Sequence, residues 1–328
     1  MSASYLGRRL LYSLITIFFV ATLSFILFRM LPADPTAMMI DPAGDPSRRE
    51  VLRERFGLDE PLIVQYFRYW QDLSTLDLGN SFQSSQSVRQ EVTRAFTNSF
   101  VLAMAIFVLA YTYGSIFGAL AAWYRGSALE RTIVNVALVF RGAPPYFVGI
   151  LLIMFFAVQL GVLPSSGMRS TFREVGFFER YFNWDFFRHL ILPAITGAAY
   201  TSTTPVLITR NAMLDVTGQE YLDLARAKGL SEPKILFKHG FRNAILPLLA
   251  EGSQFFAYAI GGLVTIEVVF SWPGLGRMIV EALQFRDFPI AQGAFMYIGV
   301  LVVVTYLISD ILAAVMDPRA RHTERMRS

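Results

Sequence analysis

The chain has 328 residues, of which 54% are hydrophobic and only 16% charged, with a mean hydropathy of +0.45 and a formal net charge of +4. Soluble domains carry about 25% charged residues, and a water-soluble chain this apolar would expose large greasy patches, so the composition is that of a membrane protein. There is no cysteine, which excludes disulfides, thiolate metal sites and cysteine nucleophiles.

Arg8 and Arg9 precede an apolar run from Leu10 to Phe28. At about 19 residues this run exceeds the roughly 7–15 of a secretory h-region, no Ala-x-Ala site follows it, and it is long enough for a bilayer, which takes about 20 residues. It is read as the first transmembrane helix of a segment 1–31. A polar segment over 32–97 follows and is expected to be an external helical cap lying on the membrane. In it, Asp45-Pro46 opens a short charged helix through Arg55. Asp59-Glu60-Pro61 then supplies an N-cap and an early proline to apolar residues at helical spacing through Trp70. Five further spans are predicted over 98–122, 132–160, 190–212, 245–270 and 290–315, a core within 98–316, and a tail over 317–328. The fold class is an all-α polytopic membrane protein of six transmembrane helices.

Loop charges set the orientation. The segments 1–9, 123–131, 210–243 and 316–328 hold 14 Lys or Arg in 65 residues. The segments 32–97, 162–188 and 271–289 hold 13 in 112 residues. The denser set is read as cytoplasmic, which places both termini inside.

All three lysines, Lys228, Lys234 and Lys238, fall in the loop between the fourth and fifth spans. Thr217 with Glu220 fits a capping box, so a helix is expected from Gly218 to Lys228, a cation suited to a helix C-terminus. Gly229 should end it in the left-handed conformation. Ser231-Glu232-Pro233 should start a second helix, since proline is tolerated in the first turn. A DNA-binding helix–turn–helix fits poorly, because the pair is tethered at both ends to membrane spans.

Within the spans, Ala110, Gly114, Gly118 and Ala122 recur every four residues, a spacing that lets helix backbones approach closely in lipid. Glu251, Glu267 and Asp310 are acids in or near spans, where a charge costs about 2.5–3.5 kcal/mol at mid-bilayer and so faces a cavity or a partner. Glu267 is either the mouth of a solute path or an interfacial carboxylate tied to backbone or to Arg277. Asp310 is read first as a structural partner of another polar helix residue. Arg141 precedes Pro144 and Pro145, which free backbone carbonyls that protein or a wet cavity must cover. Arg141 either lines that cavity or snorkels and pairs structurally. There is no Gly-x-x-x-x-Gly-Lys-Ser/Thr loop and no His-Glu-x-x-His motif, and His189, His239 and His322 are far apart, so neither a catalytic residue nor a metal ligand is assigned.

The loop reads Ala225-Arg226-Ala227-Lys228-Gly229-Leu230, then His239, Arg242-Asn243-Ala244 and Pro247, with Glu220-Tyr221 ahead of it. Asp223-Leu224-Ala225 stands where ABC-importer loops carry Glu-Ala-Ala, three residues before Gly229. The Leu-Pro that usually follows arrives late, at Leu246-Pro247, a departure from the general pattern that is similar to the peptide-class variant. Further matches are Leu31 to Pro35, Phe56 to Pro61, Asp77 to Ser81, Glu267 to Gly276, Arg286 to Pro289 and Asp317 to Arg319. Together they span nearly the whole chain, which resembles the inner-membrane permease subunits of ABC importers of the dipeptide, oligopeptide and nickel class.

The resemblance implies an N-in/C-in permease in a bacterial plasma membrane. Its partners would be a second homologous permease, two cytoplasmic ATPases holding the ATP and Mg, and an external solute-binding protein. No cofactor is expected in this chain and no nucleic acid among its partners. Glu220, Tyr221, Asp223, Ala225, Arg226, Lys228 and Gly229 would couple to the ATPase, and Arg141, Pro144, Glu251 and Glu267 would line the path. A nickel-chelate or other non-peptide solute is the alternative within the class. A proton-coupled secondary transporter, with Glu267 or Asp310 as carrier, is the rival from outside it, and it leaves the ordered loop unexplained.

Overall fold

The computed structural model describes residues 3–30, 60–170, 176–217, 219–241, 247–248, 251–252, 254–255 and 263–316. Among them the secondary structure is helical apart from an isolated antiparallel bridge between Asn80 and Ser87. The short helix expected from Asp45 to Arg55, about half of the fifth span and the C-terminal tail lie outside the described residues. The chain divides into two compact units, residues 1–99 with 273–307 and residues 100–272 with 308–328.

In the first unit, α1 (Ala3–Met30) carries the long apolar run, and α2 (Leu62–Ser74) lies against it. Phe18 stacks on Trp70 with ring centroids 5.3 Å apart, and Thr22 and Tyr66 share a hydroxyl hydrogen bond of 2.8 Å. Pro61 itself is the N-cap of α2, one position earlier than a first-turn proline, and it offers no side-chain hydrogen bond. Val88 starts α3 (Val88–Trp123), ten residues ahead of the expected span. At 1.5 Å per residue its 36 residues reach about 54 Å, well beyond the roughly 30 Å of a hydrocarbon core. The first turns of α3 pack Val88, Val92 and Ala95 on α11 (Leu275–Gln284) and on the start of α12 (Phe288–Met316).

A buried carboxylate fastens this packing. Asp287 accepts the Ser81 hydroxyl at 2.5 Å and the backbone N–H groups of Phe82 and Gln83 at 3.2 and 3.3 Å. The Asn98 amide donates to the Pro273 carbonyl, and the Leu275 N–H to the Ser99 hydroxyl, both at 2.7 Å. These bonds satisfy polar groups that would otherwise be orphaned on burial.

The second unit holds the rest of α3, α4 (Ala128–Gly142), α5 (Pro145–Leu152) with its π-helical extension Ile153–Gln159, and α6 (Phe177–Tyr181). It continues with α7 (Trp184–Thr201), α8 (Thr203–Thr217), α9 (Glu220–Ala227) and α10 (Glu232–Lys234), which a π-helical turn extends over Ile235–Gly240. Its core gathers Leu102 and Ile106 of α3, Phe186 of α7, and Phe270 and Trp272.

Two expected spans are bent. The span over 132–160 is the pair α4 and α5, which meet at 102°. Pro144 holds Ala143, and Pro145 holds Pro144, in extended backbone, since a residue before proline is disfavoured in the helical region, and the chain restarts on Pro145 at the first helical position. The span over 190–212 is the pair α7 and α8, bent by 46° at Ser202. Pro205 lacks the N–H and crowds the carbonyl four residues back, and it falls in the first turn of the new helix α8. Three unbroken helices among the described residues, over Gly7–Arg29, Val88–Trp123 and Phe288–Ile311, are long and apolar enough to cross a membrane, or up to five spans if each bent pair counts as one.

Candidate functional site: the polar loop and the intramembrane charges

The loop between α8 and the fifth span folds as a small, ordered hairpin of helices. Its start differs from the capping-box reading. The Thr217 hydroxyl donates backwards to the Leu214 carbonyl at 3.0 Å, so Thr217 closes α8. Gln219 is the N-cap of α9 and gives no side-chain capping bond, its amide donating back to the Asp215 carbonyl at 3.4 Å. The helix thus begins at Glu220 and ends at Ala227, with Lys228 as C-cap. Gly229 follows at φ +74°, and its N–H donates to the Arg226 carbonyl at 2.9 Å. Ser231 caps α10 through its backbone, with Pro233 in the first turn.

One face of α9 is buried. Leu222 and Ala225, the latter 6% exposed, pack with Ile235, against Trp123, Val216 and Leu230. Arg226 is held inside the chain: it bonds Asp223 at 2.8 Å, approaches Glu232 to 3.4 Å and lies 5.6 Å from the Trp123 ring centroid. Ala225 is therefore not presented outward, whereas the Arg226 side chain, 39% exposed, is tied to its own chain. Glu220, Tyr221, Leu224 and Lys228 form one exposed stripe of α9, and Asp223, Arg226 and Ala227 are exposed beside it. Leu224, 57% exposed, is the residue the sequence reading passed over. Its signal was an apolar side chain between Leu222 and Ala225, off the stripe those two define.

A second feature beside this loop was also missed. Arg210 near the end of α8 binds Glu130 in the first turn of α4, through Nε at 2.8 Å and again through a terminal nitrogen. Glu130 also accepts the Gly126 N–H at 2.5 Å, and Ser127 caps α4 by accepting the Glu130 N–H at 3.3 Å. Ser127-Ala128-Leu129-Glu130 is the Ser-x-x-Glu pattern of a capping box, so the motif was present in the sequence at this turn.

The intramembrane candidates have local partners. The Arg141 guanidinium sits 4.6 Å from the Tyr200 ring centroid, a cation–π contact. Pro144 is the exposed N-cap of α5. Glu251 accepts the Tyr111 hydroxyl. Glu267 is 0% exposed, and its backbone carbonyl accepts the Trp272 N–H at 2.8 Å. Arg277 pairs with Glu281 at 2.6 Å. Ala110, Gly114, Gly118 and Ala122 form a buried stripe of α3. Gly114 and Gly118 face Pro205, Val206 and Thr209 of α8 in their own chain. Among the described residues no group of three or more His, Asp or Glu side chains is placed to share a metal ion.

This ordered loop on a bundle of apolar helices agrees with comparison to known proteins. Residues 114–322 match the binding-protein-dependent transport system inner membrane component family, and residues 2–103 match the N-terminal part of such membrane components. The chain belongs to this family of inner-membrane permeases. It is 34% identical over 332 residues to a di/tripeptide transport system permease protein of Pseudomonas aeruginosa (strain UCBPP-PA14), covering 97% of this chain and 99% of that one. It is 35% identical over 321 residues to an oligopeptide transport system permease protein of Bacillus subtilis (strain 168), covering 98% and 100%. Its fold is similar to that of a methionine ABC transporter solved in inward-facing conformations, with a TM-score of 0.55 at 16% identity over 70% of this chain and 97% of that one. The family match makes this permease a membrane component of a binding-protein-dependent system.

Proposed function

We propose that this permease forms half of an inward path for a peptide-like solute, with a second homologous permease as the other half. Two cytoplasmic ATPases bind ATP and Mg, and an external binding protein delivers the solute. The peptide assignment follows the relatives' names, which are those of di/tripeptide and oligopeptide permeases. The permease itself does no covalent chemistry.

The observation that carries the coupling role is the exposed Tyr221–Leu224 step on α9. A two-turn helix that leaves Tyr221 and Leu224 in solvent, while its other face is fixed by Leu222 and Ala225, is built to be covered by a partner. The Arg226 contacts to Asp223, Glu232 and Trp123 tie α9 to α10 and to the end of α3, so a push on the exposed face is delivered to a spanning helix. The proposed path residues act by position: Pro144 opens the bend between α4 and α5, and Arg141, Glu251 and Glu267 supply the charges near the membrane interior.

The test is uptake of labelled di- and oligopeptides into vesicles carrying the purified complex with its binding protein. Uptake should require ATP on the ATPase side and persist when a protonophore collapses the proton gradient. Uptake that runs on the gradient without ATP would overturn the proposal in favour of secondary transport.

A further inference from the structure

α2 presents three distinct sectors around its axis. One sector, Gln65, Tyr66, Tyr69 and Leu73, is buried or half-buried against α1 and its surroundings. Tyr66 meets Phe25 with ring centroids 5.2 Å apart, Tyr69 meets Phe25 at 5.5 Å, and Trp70 stacks on Phe18. The next sector is apolar and open: Ile63 is 60% exposed and Phe67 68%. The remaining sector is open and mainly polar, with Arg68, Gln71 and Asp72 beside Val64, and Arg68 pairs with Glu60 at 2.8 Å. A helix with one face on protein, one apolar face and one charged face is shaped for a boundary between oil and water.

The position of α2 along α1 says where that boundary runs. The contacts fall on Phe18, Thr22 and Phe25, all inside the span Gly7–Arg29. At a rise of 1.5 Å per residue these lie about 6 to 16 Å along the axis from Arg29, and half a hydrocarbon core is about 15 Å. The α1 residues flanking the contact, Phe19 and Leu23, are exposed as a lipid-facing span requires. The apolar sector of α2 continues that surface, since Trp70 and Phe18 join the two helices ring on ring. Tyr66 and Tyr69, which meet Thr22 and Phe25 nearer the Arg29 end, are side chains of the kind that settle toward the lipid headgroups, while Trp70 on Phe18 lies deeper.

We infer that α2 is sunk into the leaflet at the Arg29 end of α1, with Ile63 and Phe67 among the acyl chains and Arg68, Gln71 and Asp72 toward the headgroups and water. The occupant of the apolar sector is the lipid bilayer. The expected cap resting on the membrane is in this part a helix embedded in it, anchoring the start of the segment that leads into α3. The inference rests on the transmembrane reading of α1, and its test separates the two.

The chain has no cysteine, so a nitroxide can be placed at one chosen site. Phe67→Cys, Ile63→Cys, Gln71→Cys and Phe19→Cys are each labelled in the complete transporter in lipid nanodiscs. Accessibility to oxygen, which partitions into lipid, is compared with accessibility to a water-soluble nickel chelate. The labels at 67 and 63 should favour oxygen, as the label at 19 does, and the label at 71 should reverse the order. If 19 favours oxygen while 67 and 63 favour the chelate, α2 lies in water and the inference fails alone. If 67 and 63 are shielded from both reagents, a protein covers the sector and the lipid assignment fails. If 19 also favours the chelate, α1 does not span the membrane, and both readings fall.

Discussion

At Gly118 an ideal Cβ would stand 2.5 Å from the Val206 carbonyl oxygen and 2.9 Å from Thr209 Cβ. Both atoms belong to the wall of α8 and neither is the free end of a flexible chain. Even the smallest side chain must therefore push two helices apart. Gly118→Ala should cost about 1–3 kcal/mol, the usual range for overpacking. The shift would be read as a lower thermal unfolding midpoint of the purified permease in detergent. Gly142 is the control, because nothing lies within 4 Å of its ideal Cβ. Gly142→Ala should leave the midpoint unchanged or raise it slightly, since alanine restricts the unfolded chain. Equal behaviour of the two variants would remove the close approach of α3 and α8. The four-residue spacing in the sequence was enough to single out this stripe, but not to say whether it meets its own chain or another subunit. That needed the position of Pro205, Val206 and Thr209.

The elements of the loop show what local sequence can and cannot specify. Gly229 was legible because only glycine adopts φ near +74° without strain, and the end of α9 follows from it. The start of α9 was misplaced for an equally physical reason. A threonine hydroxyl can bond forward as a cap or backward to a carbonyl three or four residues earlier, and Thr217 does the latter. The bends in the third and fourth spans were set by Pro145 and Pro205. An apolar run measures length and conceals direction, so a pair of helices at 102° reads as one span. The Arg210–Glu130 pair joins residues far apart in sequence, and spacing alone could not pair them. Because nothing lies within 4 Å of the ideal Gly229 Cβ, substitutions there act through the backbone and not through crowding. Gly229→Asn should keep most uptake, since asparagine tolerates the left-handed region, whereas Gly229→Val should abolish it while the permease still inserts. The strain involved is of order 1–3 kcal/mol, enough to tilt or fray a two-turn helix. Uptake and ATP hydrolysis scored together in vesicles check this. Wild-type, solute-stimulated hydrolysis and uptake in Gly229→Val would show that the exit from α9 plays no part in coupling.

At the scale of the whole molecule, we propose that the loop between α8 and the fifth span meets an ATPase and that α2 lies on the outer side. Composition and loop charge carried most of that assignment, and the family match places the chain in an inner-membrane transport system. What neither supplies is the face that meets the motor, which we propose to be the exposed Tyr221 and Leu224 of α9. The most direct measurement is a photocrosslink from that face. A benzophenone maleimide is attached to Leu224→Cys, or separately to Ser85→Cys, in the cysteine-free chain within membranes holding the complete, transporting complex. On irradiation the probe at 224 should capture an ATPase subunit and the probe at 85 should not. An ATPase adduct from 85, or none from 224 while transport proceeds, would contradict the claim that α9 is where ATP hydrolysis enters the permease.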